Sequence, residues 1–214
     1  TAKAIANGAC YDGDVWDLFD GKGKNTEVLP LGTVVTIPAA GSEMSNSSVI
    51  TREEDLCKRG RNTPLNFPKF SILNPEFTYT LPPFQTACGV VDIMAHMMER
   101  YFTRVTHVEL IDRMTEGALK TVVGNAPIVM HEPENYDARA EIMWAGCLAH
   151  NTLFQTGRIG DWASHKLEHE LSALYDIAHG AGLAIVFPAW MKYALAHGGE
   201  AKLAQFAVRG FDVP

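Results

Sequence analysis

The stretch 160-GDWASHKLEHELSALYDIAHG-180 places three histidines, His165, His169 and His179, within one short segment. Residues 161–175 read as a helix, and on a helix positions four apart share a face. His165 and His169 therefore lie on one face, among the apolar Trp162, Ala163, Leu167 and Leu171. His179 stands just before Gly180, at the expected start of the next helix. The zinc-protease pattern H-E-x-x-H is not met, because Lys166 follows the first histidine and the general-base glutamate of such hydrolases is missing. Taken singly, each histidine is more often a satisfied core residue than a ligand.

The same spacing recurs upstream in 89-GVVDIMAHMMER-100, where Asp92 and His96 are four apart. Their neighbours Val90, Val91, Ile93, Met94, Met97 and Met98 are apolar, and a carboxylate in such surroundings is costly unless it is paired, hydrogen-bonded or metal-bound. For this pair alone, a simple Asp–His contact or an aspartate turned to water is the more ordinary reading. Together, the two segments supply up to four imidazoles and a carboxylate. Three imidazoles and one carboxylate suit a divalent transition metal, with Fe²⁺ and Zn²⁺ the leading candidates. His107, His131, His150 and His197 lack this context and read as surface or core histidines.

Outward from these segments the chain changes texture near Leu81. After Pro82 and Pro83, which can open a helix because their missing N–H groups would be unpaired there, helical patterns follow at about residues 85–102, 107–124, 134–152, 161–175, 179–196 and 200–209. Before Leu81 one helix at the N-terminus precedes three β-type runs: Thr33 to Ile37, "SSVITR" (47–52) and "FSILNP" (70–75). The expectation is part of an α/β domain over residues 1–81, followed by an all-α domain over 82–214. The loop "IPAAGSEMSNSS" (37–48) follows a strand directly, and its small residues with Gly41 would let backbone and hydroxyl groups approach a ligand such as a phosphate. A plain surface loop would look similar.

The 214 residues carry a net charge of −7, with 47% hydrophobic and 20% charged residues. That balance argues against nucleic acid or an anionic membrane surface as partners. The cysteines Cys10, Cys57, Cys88 and Cys147 are scattered with no C-x-x-C pair, so neither a disulfide framework nor a thiolate zinc site is expected. The longest apolar run, Ala181 to Met191, is too short to span a bilayer. The chain opens on "TAKAIANGA", without signal-peptide features, as if already within a helix, and closes on "GFDVP"; it reads as a fragment of a longer, cytoplasmic protein.

"TIPAAGSEMS", "ITRE…K", "NPEFTYTLPP", "GVVDIMAHMMERY", "EPENYDARAEIMWAGCLAHN" and "DWASHKLEHELSALYDIAHG" occur in the order found in a known family. The chain resembles the iron-containing (group III) alcohol dehydrogenases, in the branch of NAD(P)H-dependent butanol dehydrogenases and broad-range aldehyde reductases. The resemblance implies a dehydroquinate synthase-like two-domain fold, α/β then all-α, missing the Gly-rich pyrophosphate turn with the strands before it, and the final helical segment. It implies a metal, Fe²⁺ or Zn²⁺, on Asp92, His96, His165 and His179, with His169 beside it acting in proton movement or cofactor positioning. It further implies NADH or NADPH contacts at Thr36, Gly41, Ser42, Lys58 and Leu81. Ala40 departs from the family, where threonine is common, which would remove one polar cofactor contact.

The implied activity is hydride transfer between the cofactor and a short aliphatic aldehyde or primary alcohol such as butanal or butanol, in a homodimer. Phe154, Trp162 and Leu167 are candidates for an apolar substrate pocket. Three other classes are the alternatives: a hydrolase using an activated water, a lyase-type relative on the same fold, and a non-catalytic metal-binding fragment.

Overall fold

The computed structural model describes residues 1–213. The N-terminal part holds two short helices, α1 (Ala2–Gly8) and α2 (Val15–Phe19), and two small sheets. Strands β1 (Gly32–Val34) and β4 (Phe70–Ile72) pair in parallel, with Thr33 opposite Ser71. Strands β2 (Ser47–Arg52) and β3 (Cys57–Asn62) form an antiparallel hairpin, with Val49 opposite Gly60 and Thr51 opposite Lys58.

Three sequence expectations are corrected here. The run Thr33 to Ile37 pairs only as far as Val34, although the Val35 N–H still donates to Ile72 O at 3.0 Å. Strand β3, "CKRGRN", carries no apolar alternation; it is a strand because β2 pairs with it along its full length. Helix α2 was not anticipated: Asp14 caps it by accepting from the Trp16 N–H, and Trp16, Leu18 and Phe19 pack with Ala4 of α1 into a small satellite core.

A buried cation sets the position of the loop after β1. Lys3 of α1 donates from Nζ to the carbonyls of Ser42, Ser45 and Ser47 at 2.8, 2.7 and 3.1 Å. Three carbonyls on one ammonium satisfy its donors and fix residues 42–47 against α1.

Residues beyond Pro82 are helical: α3 (Pro83–Tyr101), α4 (Glu109–His131), α5 (Tyr136–Ala149), α6 (Ala163–Tyr175), α7 (His179–Ala196) and α8 (Glu200–Phe211). Helix α3 is central, packing on α4, α5 and α7. Its apolar residues Ile93, Met97 and Tyr101 are fully buried against Leu119, Val122 and Leu183. Helix α4 runs beyond the expected stop near Gly124 and through Pro127. Val122 and Val129 are buried on the same side, so packing holds the helix across the one N–H that proline lacks. Helix α5 starts where the Asn135 side chain accepts from the Ala138 N–H. Helix α6 ends at Asp176 in the left-handed conformation, φ 51°.

A polar knot lies under α8. The Arg158 guanidinium, fully buried, donates to Asp112 Oδ1 at 2.9 Å, while Lys202 and Gln205 of α8 reach Asp112 Oδ2. No helix among the described residues is long and apolar enough to cross a membrane.

Candidate metal centre

Helix α3 contributes Asp92 and His96, α6 contributes His165 and His169, and α7 begins at His179. Two separate i,i+4 pairs thus meet because α3 and α6 both pack on α7. The Nε2 atoms of His165 and His179 each lie 3.7 Å from Asp92 Oδ1. His96 Nδ1 is 3.0 Å from the same oxygen, but its hydrogen bond runs to the Asp92 carbonyl at 2.9 Å. Potential ligand atoms of Asp92, His96 and His165 fall within 4.8 Å of one another, and all three residues are buried.

Asp92 Oδ1 and His165 Nε2 are buried with no hydrogen-bond partner. A buried carboxylate oxygen without a donor is costly. Ringed by three imidazoles, it fits a divalent cation in a nitrogen–oxygen donor set. Burial works to raise the Asp92 pKa, but the nearness of His96, His165 and His179 holds it well below the ordinary carboxylate range. His96 is lowered by burial, which outweighs Asp92. For His165, burial is outweighed by Asp92 and Glu99, and its pKa is raised.

The rings carry buried partners on their far sides. His165 Nδ1 lies 2.9 Å from Glu99 Oε1, which also accepts from the His165 backbone N–H at 2.9 Å. His179 Nδ1 is in close contact with Glu168 Oε2.

A cavity of about 950 Å³ opens onto the histidines. Its lining includes His96, His165, His169 and His179 together with Ser42, Ser45 and Lys58. Trp162 forms part of the wall in the left-handed conformation, φ 62°, with the Arg100 guanidinium 4.5 Å from its ring centroid. A bulky residue held there is a strained feature of the kind that clusters at functional sites. His169 is lowered to about 4, by burial first and then by Lys58 and neighbouring histidines.

Gly41, φ 58°, seats its loop on α5: a Cβ there would lie 2.8 Å from His150 Cβ and 2.9 Å from Gly146 O. Lys58 Nζ donates to Ser172 Oγ at 2.7 Å and stands 4.0 Å from Glu168 Oε2. Thr36 and Leu81 lie outside the cavity lining. Of the apolar pocket candidates, Trp162 lines the cavity; Phe154 is in the helical core, and Leu167 is 57% exposed.

His150 is a correction. Its ring centroid is 4.3 Å from that of His96, it lines the cavity, and its Nδ1 is 2.9 Å from Ala40 O. Burial, then the nearby His96, holds its pKa well below the ordinary value. The sequence offered no periodic partner for it, since its neighbours come from α3 and the residue 37–48 loop. The loop position Ala40 thus contributes its carbonyl. His107, His131 and His197 are exposed, as expected.

A family model described as Fe-containing alcohol dehydrogenase family, C-terminal, matches residues 86–210, and one described as iron-containing alcohol dehydrogenase matches residues 1–75. The chain is 48% identical over 211 residues to the probable NADH-dependent butanol dehydrogenase 1 of Bacillus subtilis, covering 99% of this chain and 54% of that protein. It is 40% identical to the NADPH-dependent aldehyde reductase YqhD of Escherichia coli, covering 99% of this chain and 55% of that one. The crystal structure of NADH-dependent butanol dehydrogenase A from Thermotoga maritima matches at TM-score 0.96 and 43% identity, covering 100% of this chain and 53% of that one. The chain spans about half the length of the curated relatives it matches.

Proposed function

The chain belongs to the iron-containing alcohol dehydrogenase family, and from that premise we propose that the full protein is an NAD(P)H-dependent alcohol dehydrogenase and aldehyde reductase acting on short aliphatic substrates such as butanal. The observation that carries this reading is the convergence of His165 and His179 on the unpartnered Asp92 Oδ1, with His96 beside it. The relatives' own names, two NADH-dependent butanol dehydrogenases and an NADPH-dependent aldehyde reductase, support the substrate and cofactor classes.

In this reading Asp92, His96, His165 and His179 hold Fe²⁺ or Zn²⁺. The ion supplies Lewis acidity toward an alcohol or aldehyde oxygen, and the nicotinamide carries the hydride. The chain's own residues supply placement. Ser42 and Lys58 line the same cavity as the histidines and would contact the cofactor; Gly41, Thr36 and Leu81 lie outside that lining and would act through the loop and segment that carry them. Residues 1–81 would then serve the cofactor and 82–214 the metal. Trp162, stacked on Arg100, forms an apolar wall that limits water at the reacting carbon. Burial, Lys58 and the neighbouring histidines lower His169 to about 4, which favours the neutral ring beside the site, with one nitrogen able to donate and the other to accept a hydrogen bond.

The test is to load the full protein with Fe²⁺ or Zn²⁺ and follow nicotinamide absorbance with butanal. Metal-dependent oxidation of NADH or NADPH is expected. Ester hydrolysis without nicotinamide turnover would replace this reading with a hydrolase.

A further inference from the structure

Two glutamates behind the histidines have almost no exposure: Glu99 at 1% and Glu168 at 0%. Neither belongs to the four-residue donor set, and a buried carboxylate without a task is destabilising. Each faces the Nδ1 of one histidine. Glu99 sits on α3 three residues after His96, and its Oε1 takes both the ring and the backbone N–H of His165 on α6. Glu168 sits on α6 and reaches across to His179, the first residue of α7. The space for Glu168 is made by Gly182, where a Cβ would lie 2.8 Å from both Glu168 Cγ and Oε1.

We propose that Glu99 and Glu168 are positioning residues that hold His165 and His179 in the tautomer presenting a bare Nε2 to Asp92. The inference rests on the metal-site reading above. An ionised carboxylate can only accept, so each Nδ1 must carry the hydrogen. A neutral ring then has its lone pair on Nε2, and both Nε2 atoms stand 3.7 Å from Asp92 Oδ1. The opposite tautomer would set a nitrogen lone pair against a buried anion on one side and an N–H where the cation belongs on the other.

The three histidines are consequently not equivalent. His96 is oriented by a neutral backbone carbonyl, whereas His165 and His179 are backed by carboxylates, which raise the basicity of an imidazole ligand. Lys58 of the hairpin, 4.0 Å from Glu168 Oε2, partly balances the second carboxylate and ties it to the cofactor side of the cavity.

The test uses the full protein and a metal alone. Zn²⁺ and Co²⁺ affinities are measured by chelator competition for the parent, Glu99→Gln and Glu168→Gln, with Co²⁺ absorption bands as a signature of ligand field. Each substitution should weaken metal binding about 10–100-fold and shift the Co²⁺ bands, with unchanged far-ultraviolet circular dichroism. Parent-like affinity and bands in both variants would overturn the inference while leaving the metal site standing. A parent that takes up no metal would overturn the site reading and the inference with it. Should either variant fail to fold, ¹⁵N resonances of the imidazoles in the Zn²⁺-loaded parent decide the matter: Nδ1–H on His165 and His179 is expected, and Nε2–H on either would refute the assignment.

Discussion

Gly180 and Cys88 touch backbone to backbone: a Cβ on Gly180 would fall 2.1 Å from the Cys88 carbonyl oxygen. Cys88 lies one turn before Asp92, and Gly180 directly follows His179. The contact between α3 and α7 that brings His179 to Asp92 therefore requires a residue without a side chain. Gly180→Ala should cost about 1–3 kcal/mol of stability through overpacking and should also reduce metal retention, since α7 must back away from α3. Thermal unfolding and metal analysis on one preparation check this; a variant matching the parent in both would show that the helices adjust freely.

His179→Ala should abolish metal retention and aldehyde reduction together. Only Asp92, His96 and His165 would remain, with Asp92 Oδ1 and His165 Nε2 buried and without protein hydrogen bonds. Metal analysis of the purified full protein is the measurement. Full occupancy with lost activity would move His179 from holding the ion to another role.

His169→Ala should separate the two properties. His169 lines the cavity beside His165 and His179, at ring-centroid distances of 6.5 and 5.4 Å. It should keep the metal and lose about 10²–10⁴-fold in turnover, the usual range for an acid–base group. A metal-free variant would exchange the assignments of His165 and His169.

Lys3 gives a pH dependence with a definite sign. Burial, against the attraction of Glu43, lowers its folded pKa to about 8 from an unfolded value of 10.5. Between those two values the unfolded chain binds more protons than the folded one, so the contribution of Lys3 makes stability rise with pH. Lys3→Met should lose roughly 1–3 kcal/mol by leaving the carbonyls of Ser42, Ser45 and Ser47 without their donor. The difference in urea-unfolding free energy between parent and variant should grow from pH 8 to pH 10; a flat difference would place Lys3 in water, and one that shrinks would mean that the fold favours its charged form.

Asp112 is the hinge of the knot beneath α8. Asp112→Asn should cost about 3–5 kcal/mol, because the Arg158 guanidinium would stay buried without its countercharge. Lys202 and Gln205 would lose the same partner. Hydrogen exchange should therefore rise first in residues 200–211, and uniform exchange across all helices would contradict that order.

Much of the helical part was legible in the residues themselves. The 3.6-residue period placed α3, α6 and α7 within a few residues of their observed ends, and the i,i+4 pairs Asp92/His96 and His165/His169 followed from it. Such spacing is a local property, since one turn of helix carries both members of a pair. The strand "CKRGRN" and the passage of α4 through Pro127 were not legible, because pairing with β2 and burial of Val129 override what those residues prefer alone.

The site divides along the same line. The sequence by itself determined which side chains could bind a metal, and the spacing that puts each pair on one helix face. Only the tertiary structure decided that α3 and α7 press together at Gly180, that His150 from the end of α5 joins the cavity, and that Glu99 and Glu168 stand behind two of the histidines. Those contacts join residues 11 to 110 positions apart. No periodicity spans such separations; what closes them is the burial of apolar helix faces, which carries the polar groups along and leaves them to find partners where the helices meet.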